Sequence, residues 1–566
     1  MTPRALALVA ILSLPTTMII AQSPGDRPAG NPRTTRSVVM ARRGIIATSQ
    51  PLASAAGLRV MQAGGNAIDA AVTAAAVLAV VEPTMNGVGG DLFALVFDGN
   101  AKRLRGLNAS GRAGSGATAE SLIERGLTEV PDRGPLPVTV PGVVDGWHEL
   151  LARHGTITLA QALEPAIAYA RGGFPVSEVI AGQWKDVEDV LRRDSPTAEV
   201  FLPEGRAPRP GEIFRNPKLA VTLETLARDG RGAFYEGSIA RAMAEDLARR
   251  GGFVTHADLA SHHSDWVDPI STSYRGHEVV ELPPNTQGLV VLEMLNILEG
   301  FDLKALGHNS ADYLHLLVEA KRIAFADRNA YLADPGAVPA EVVAMLRSKD
   351  YATARRREID RGRAAEAYAP GIALGVGGGE AGLGRGDTIY LAAADDQGNV
   401  VSLIQSIYES FGAGIVAGDT GIVLHDRGAG FRLEAGHPNR MAPGKRPMHT
   451  LIPGMVMKNG EPWLAFGVMG GDMQPQGHVQ VLANLIDFGM NVQEAGEAPR
   501  FRHVGASLAL ESAIPAEVRA ALAVRGHQIV DRPGVFGGFQ GVLIDPATRV
   551  LMGGSDPRKD GLAIGH

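Results

Sequence analysis

From Ala53 to Glu82 the chain reads "ASAAGLRVMQAGGNAIDAAVTAAAVLAVVE", two helical pieces broken at Gly64-Gly65. The second piece is Ala- and Val-rich on nearly every face, and a helix apolar all round is buried between layers rather than laid on a surface. Asp69 inside so short a run speaks against a membrane span. "EPTMNGVGGDLFALVFDG" then reads as a turn followed by a strand. Further on, "LAQALEPAIAYARGG", "LAVTLETLARDG", "IARAMAEDLARRGG" and "SADYLHLLVEAKRIAFADRNAYL" carry helical periodicity, and several stop at Gly as a C-cap would. Strands come late. They are "YRGHEVVEL", the pair in "TIYLAAADDQGNVVSLIQS", the pair around Asn459-Gly460 in "IPGMVMKNGEPWLAFGVMGG", and "GVLIDPATRVLMGGSD". Interleaved helices and antiparallel hairpins predict an α+β sandwich whose sheets are covered by helices. No repeat of fixed period is present.

Composition narrows the partners more than the fold. A net charge of −7 over 566 residues leaves no basic footprint, so no nucleic-acid partner is expected. The chain has no cysteine, which excludes thiolate catalysis and cysteine metal sites. Its 15 His are scattered, with no H-E-x-x-H spacing, so no metal and no cofactor is expected. Residues 1–21 read as a secretory signal: Arg4, then an apolar core to Ile20, then Ala21 as a small residue for cleavage. Pro15 with Thr16 and Thr17 interrupts that core and favours cleavage over a retained anchor, so an exported protein is expected. "GGGEAG" at Gly377–Gly382 imitates a dinucleotide motif but has no strand before it and no helix after it. "RGD" at Arg385–Asp387 is too short to carry information.

The hairpin at Thr388 carries the chemistry. It begins abruptly after "PGIALGVGGGEAGLGRGD", a glycine-rich stretch without periodicity. Its turn, Asp395 to Asn399, centres on Gln397, so antiparallel pairing sets Thr388 opposite Ser406. Directly opposed side chains share a face and approach to about 4.5–5.5 Å. On geometry alone a stabilising Thr–Ser cross-strand pair is the plainer reading.

The surroundings point elsewhere. This stretch, with "FGAGIVAGDTGIVL", "PGKRPMHTLIPGMV", "GVMGGD" and "SDPRKDG", resembles the gamma-glutamyltransferase family. So do "GGNAIDAAV", "VPGVVDGW", "YRGHEVVELPPNTQG" and "AKRIAFADRNAYLADP", and the resemblance runs in one order from Val38 to Gly561. It implies the four-layer αββα sandwich of N-terminal-nucleophile hydrolases and a proenzyme that cuts itself before a threonine. The processing site is then Asp387–Thr388, giving a large subunit of residues 22–387 and a small one of 388–566 that stay associated. A dimer of such heterodimers is the further assembly the resemblance allows. Cleavage puts a hydroxyl and a free α-amine on Thr388; the amine titrates near 7.7–8.0 and serves as base for an otherwise weak nucleophile. By position, Ser406 stands where the family has a threonine that bonds the nucleophile and assists processing. Gly470-Gly471 match the pair whose N–H groups form the oxyanion hole; a tight turn after a strand is the weaker reading of the same residues.

The donor pocket departs from the pattern. The family holds the donor's α-carboxylate with an arginine and a serine pair, and its α-ammonium with Asn, Glu/Gln and Asp. Here the serine pair is His449-Thr450, which still offers donors; the three ammonium positions are Tyr408, Arg427 and Gly430. An arginine facing an ammonium is wrong by a full charge. Arg112, in "LNASGRAG", lies near the family arginine's offset but not at it. The expected function is therefore a self-processing enzyme that hydrolyses or transfers a gamma-glutamyl-type acyl group from small amide or peptide donors such as glutathione, to water or an amine. The alternative is an amidohydrolase or acylase on the same machinery, taking glutaryl- or oxamate-type donors without the α-amine. An exported solute-binding protein that has lost catalysis is the third reading, and Thr388, Ser406 and Gly470-Gly471 argue against it.

Overall fold

Asn66 opens a helix that is buried along its whole length. Its side chain accepts from the N–H groups of Ile68 and Asp69 while Asp69 answers its backbone N–H, a reciprocal cap that fixes the start of Ala67–Val81. Every residue of that helix is buried, as its apolar faces require, and it packs on the strands Ile389–Asp395 and Val400–Ser406. The computed structural model describes residues 34–372 and 388–566. The leader, the glycine-rich approach with its two lookalike motifs, and Asp387 lie outside the described residues.

Two seven-stranded sheets face each other. One runs Leu562–Gly565, Gly44–Thr48, Ile389–Asp395, Val400–Ser406, Asp91–Asp98, Arg103–Ala109 and Asp265–Val267. The other runs Val39–Ala41, Leu551–Ser555, Phe539–Ile544, Glu461–Val468, Gly454–Lys458, His277–Glu281 and Ile270–Tyr274. Neighbouring strands in both are antiparallel. Tyr390, Ile404, Phe93, Met455 and Val542 fill the space between the sheets. Pro51–Gln62, Ala67–Val81, Leu159–Gly172 and Pro217–Asp229 form the layer outside the first sheet. Gly288–Leu298, Ala311–Tyr331 and Met473–Ile486 cover the second. The architecture is the helix–sheet–sheet–helix sandwich expected from the sequence.

Several helix ends follow the predicted signals. Thr158 and Ser310 cap their helices through side-chain oxygens; Gly173 closes the helix that Thr158 opens and Gly230 closes Pro217–Asp229, at φ of 91° and 68°. The Asn459-Gly460 turn has both residues at positive φ, as a two-residue hairpin loop demands. Strands also occur early. Gly44–Thr48 and Arg103–Ala109 complete the first sheet, although the hydrophobic pattern did not announce them.

Candidate active site

The hairpin has the predicted register. Ile389 pairs with Gln405 and Tyr390 with Ile404, so one step outward Thr388 falls opposite Ser406. Ser406 in turn pairs with Asp91 on the next strand. Side chains alternate along a strand, and Tyr390, Ile404 and Phe93, two residues further along, point into the space between the sheets. Thr388, Ser406 and Asp91 therefore form a polar row on that same face, at the end of the inter-sheet core. All three are buried. Gly90 lets the loop before Asp91 close on this row, since a Cβ there would lie 2.4 Å from the Ser406 carbonyl oxygen.

After Ser406 the chain turns sharply. Tyr408 donates its N–H to the Ser406 hydroxyl at 2.8 Å and takes φ of 77°, a conformation that a bulky residue rarely adopts. The Arg427 guanidinium lies over the Tyr408 ring at 4.1 Å and donates from Nη1 to Thr450 Oγ1 at 3.0 Å. Gly430 ends the short 3₁₀ turn that Arg427 begins. Tyr408, Ala429 and Gly430 line a cleft of about 310 Å³ together with Glu129, Asp132, Arg328 and Asn329.

His449 does not present its ring to the cleft. Its Nε2 donates to Asp91 Oδ2 at 3.1 Å, and its Nδ1 accepts from the Leu451 N–H at 3.2 Å. Both nitrogens are engaged inside the protein, which fixes the tautomer; the donors expected from the His449-Thr450 pair reduce to the Thr450 hydroxyl. Burial first, and Arg427 next, push the His449 imidazole down to about 3, so it is neutral at pH 7. Burial alone would raise the Asp91 carboxyl, but His425 and His449 hold it well below the ordinary carboxylate range. The Gly111 N–H adds a further donor to Asp91 at 2.9 Å.

In the second sheet, Gly470 and Gly471 link the strand Glu461–Val468 to the helix Met473–Ile486 at φ of 113° and 58°. Among the described residues neither of their N–H groups donates to a protein acceptor. Gln287 ties this turn to the rest of the site, donating from Nε2 to the carbonyls of Thr450 at 2.8 Å and Gly471 at 3.1 Å. Its Oε1 accepts from Arg328, whose guanidinium pairs with Asp472 at 2.5 Å. Gln287, Arg328, Asp472 and Asp91 were not singled out from sequence. They sit in quoted motifs ("NTQG", "ADR", "GGD"), but only the tertiary contacts give them a part.

Arg112 is not brought to the others. Its guanidinium is held by Asp265 at 3.1 Å and the His263 carbonyl at 3.3 Å, on the edge strand of the first sheet. One His/Glu group with metal-ligand spacing occurs among the described residues: His315, Glu319 and His527. Its atoms are already engaged. His315 Nδ1 meets His527 Nε2 at 2.8 Å, and Glu319 accepts from Arg322, the Ala365 N–H and Tyr368.

A threonine heading a strand inside two facing seven-stranded sheets that are covered by helices on their outer sides fits the N-terminal-nucleophile class of hydrolases. The chain is a member of the gamma-glutamyltranspeptidase family, whose model matches residues 53–566. It is 39% identical over 540 residues to the glutathione hydrolase-like YwrD proenzyme of Bacillus subtilis (strain 168), covering 93% of this chain and 99% of that protein. It is 38% identical over 531 residues to the acylase ACY 1 proenzyme of Pseudomonas sp. (strain SE83), covering 92% and 93%. The crystal structure of cephalosporin acylase from Bacillus halodurans superposes with a TM-score of 0.88 at 43% identity, covering 97% of this chain and 99% of that one. The protein is thus a self-processing enzyme of this family.

Proposed function

We propose that cleavage of Asp387–Thr388 frees Thr388 as the nucleophile of an amide hydrolase, and that the polar row it shares with Ser406 is what carries this reading. The α-amine of Thr388 takes the hydroxyl proton as Oγ attacks the acyl carbon. The N–H groups of Gly470 and Gly471 receive the oxyanion, a role worth about 3–4 kcal/mol for each donor. Ser406, fixed by the Tyr408 N–H, orients the threonine. The amine leaves with the proton, and water, or an amine in transfer, releases the acyl group from Thr388. The apolar leader of residues 1–21 supports export of the proenzyme; residues 22–387 and 388–566 form the two subunits. Two such heterodimers form the assembly, which light scattering on the mature protein checks.

Mass spectrometry of the purified protein tests the cut. A fragment beginning at Thr388, close to a third of the 59.4 kDa chain, is expected, and Thr388→Ala should stay one chain without activity. An intact chain that still hydrolyses amides would refute the assignment.

A second reading concerns the donor. The site's carboxylates are engaged: Asp91 by His449 and Gly111, Asp472 by Arg328, while burial and then Glu409 push Asp426 well above its ordinary range. A gamma-glutamyl ammonium would meet Tyr408 and Arg427 where an anion is needed. Poor glutathione hydrolysis, poor transpeptidation and better cleavage of des-amino acyl amides are therefore expected. A kcat/KM for gamma-glutamyl anilide above that for glutaryl anilide overturns this second reading.

A further inference from the structure

Two glycines in succession, at φ of 113° and 58°, have no side chains to hold the turn in which their N–H groups stand open. The turn must be fixed from outside. On the strand side, the Met469 N–H donates to the Gly538 carbonyl at 2.9 Å. On the helix side, the Gly471 carbonyl takes two donors, the Gln474 N–H and Gln287 Nε2, both at 3.1 Å.

Asp472, the next residue, stands at the N-cap of Met473–Ile486 yet makes no capping bond. Asp194, in the same place before Ser195–Phe201, accepts from the N–H three residues on, that of Thr197, at 3.2 Å. Three residues after Asp472 comes Pro475, which has no N–H to give. The carboxylate is free for Arg328 instead. Arg328 Nη1 donates to Asp472 Oδ1 at 2.5 Å and to Gln287 Oε1 at 2.9 Å.

A guanidinium can only donate, so it fixes which end of the Gln287 amide it meets. Oε1 faces Arg328, and Nε2 is left to the carbonyls of Thr450 and Gly471. A flipped amide would set its oxygen against two carbonyl oxygens. Arg328 is itself held, with Nε donating to Asn329 Oδ1 at 3.0 Å and the guanidinium lying on the Phe325 ring at 4.0 Å. Gln287, Arg328 and Asp472 are all buried. One guanidinium thus governs the Gly471 carbonyl through Gln287 and the residue after it directly.

We propose that Arg328 is a positioning residue for catalysis: through Gln287 and Asp472 it holds the glycine turn so that the N–H groups of Gly470 and Gly471 are aimed at the developing oxyanion. Such a role rests on the reading of Thr388 as nucleophile and of the glycine pair as oxyanion donors, and the test separates the two.

Arg328→Lys keeps the charge without the fixed fork. Gln287→Glu keeps the shape but puts an oxygen where Nε2 donates. The substrate is whichever of glutaryl and gamma-glutamyl anilide the unaltered enzyme turns over faster. Each variant should lose kcat by about 10–100-fold, less than the roughly 100–1,000-fold that removal of a whole donor costs, with KM within about threefold. Butylboronic acid adds to the Thr388 hydroxyl and leaves an oxygen on boron where the oxyanion would stand. It should inhibit each variant about tenfold more weakly, or worse, than the parent. A lower Tm with parental kcat per acylated site, a loss borne by KM alone, or unchanged boronate inhibition would overturn the proposal. So would failure of both variants to fold, which would make the brace a structural one. Failure of the Thr388 assignment shows differently: anilide cleavage survives Thr388→Ala, and butylboronic acid leaves the unaltered enzyme uninhibited.

Discussion

Replacing Asp91 by alanine would remove the carboxylate that ties the strand Asp91–Asp98 to His449 beside the proposed nucleophile. The variant leaves the His449 Nε2–H and the Gly111 N–H, now 3.1 and 2.9 Å from Asp91 oxygens, without acceptors in a buried place. Each orphaned buried donor costs about 1–3 kcal/mol, and both bonds lost here run to an ionised carboxylate, so a loss of roughly 3–5 kcal/mol is expected for the two together. Unfolding entropy of about 2.1 cal/mol/K per residue makes a chain of this size lose roughly 1 °C in Tm per kcal/mol, hence a fall of about 3–5 °C. The measurement belongs in the Thr388→Ala background, where the chain is expected to stay in one piece and melting is then not mixed with subunit dissociation. Adding His449→Ala deletes one of the orphans, so the double variant should be less destabilised than the sum of the singles by about 1–2 kcal/mol. The effect should also fade in acid. A carboxylate held below its unfolded value of about 3.9 contributes stability that is present above that pH and lost as pH falls through the folded value. A Tm within 1 °C of the parent at pH 7, or strict additivity with His449→Ala, would show that Asp91 is a bystander.

Three further outcomes follow from the geometry. Gly470→Ala forces a side chain into φ of 113° with its Cβ 3.2 Å from that of Met473; displacement of the N–H should lower kcat about 100-fold or more in single-turnover acylation, and an unchanged rate removes Gly470 from the oxyanion hole. Acylation should speed up as pH rises through the α-amine's titration near 7.7–8.0, so a flat profile from pH 6 to 9 counts against that base. Burial raises Glu281 well above its ordinary range and pushes His478 down to about 3, so a protonated Glu281 donates to His478 Nδ1 at 2.9 Å. A raised carboxyl stabilises fully below its unfolded pKa and loses that contribution as pH rises toward the folded value; Glu281→Gln should therefore flatten the decline in denaturation free energy between pH 5 and 8.

How much was legible depended on the range of the interaction. The hairpin at Thr388 could be read because its register is local: a turn centred on Gln397 fixes the partner of every residue out to Ser406. The helix Ala67–Val81 announced itself by composition and by the Asn66–Asp69 cap. Gly44–Thr48 escaped because five consecutive buried positions give no alternation to detect. Arg103–Ala109 escaped because its outer end is charged and exposed while its inner end is buried. In the site, position along the chain identified Tyr408, Arg427 and the glycine pair. It could not foresee that His449 would turn to Asp91, 358 residues earlier, or that Asp265 would claim Arg112. Those contacts are made between strands and between sheets, where sequence spacing carries no information.

The order of strands bears on what maturation does to the lifetime of the protein. Gly44–Thr48, from the first part of the chain, lies between Leu562–Gly565 and Ile389–Asp395, both from the part after Thr388. In the other sheet, four consecutive strands of the later part are flanked on both sides by strands of the earlier one. With the proposed cut made, the two pieces are woven together and cannot part without tearing backbone ladders in both sheets. Before the cut, an unfolded chain returns by a first-order process. After it, two strangers must find each other in solution, at a rate that falls with dilution, each exposing unpaired strand edges meanwhile. Folding must therefore be finished before the bond is broken, and the endurance of the mature enzyme is set by how slowly it opens rather than by how readily it reforms.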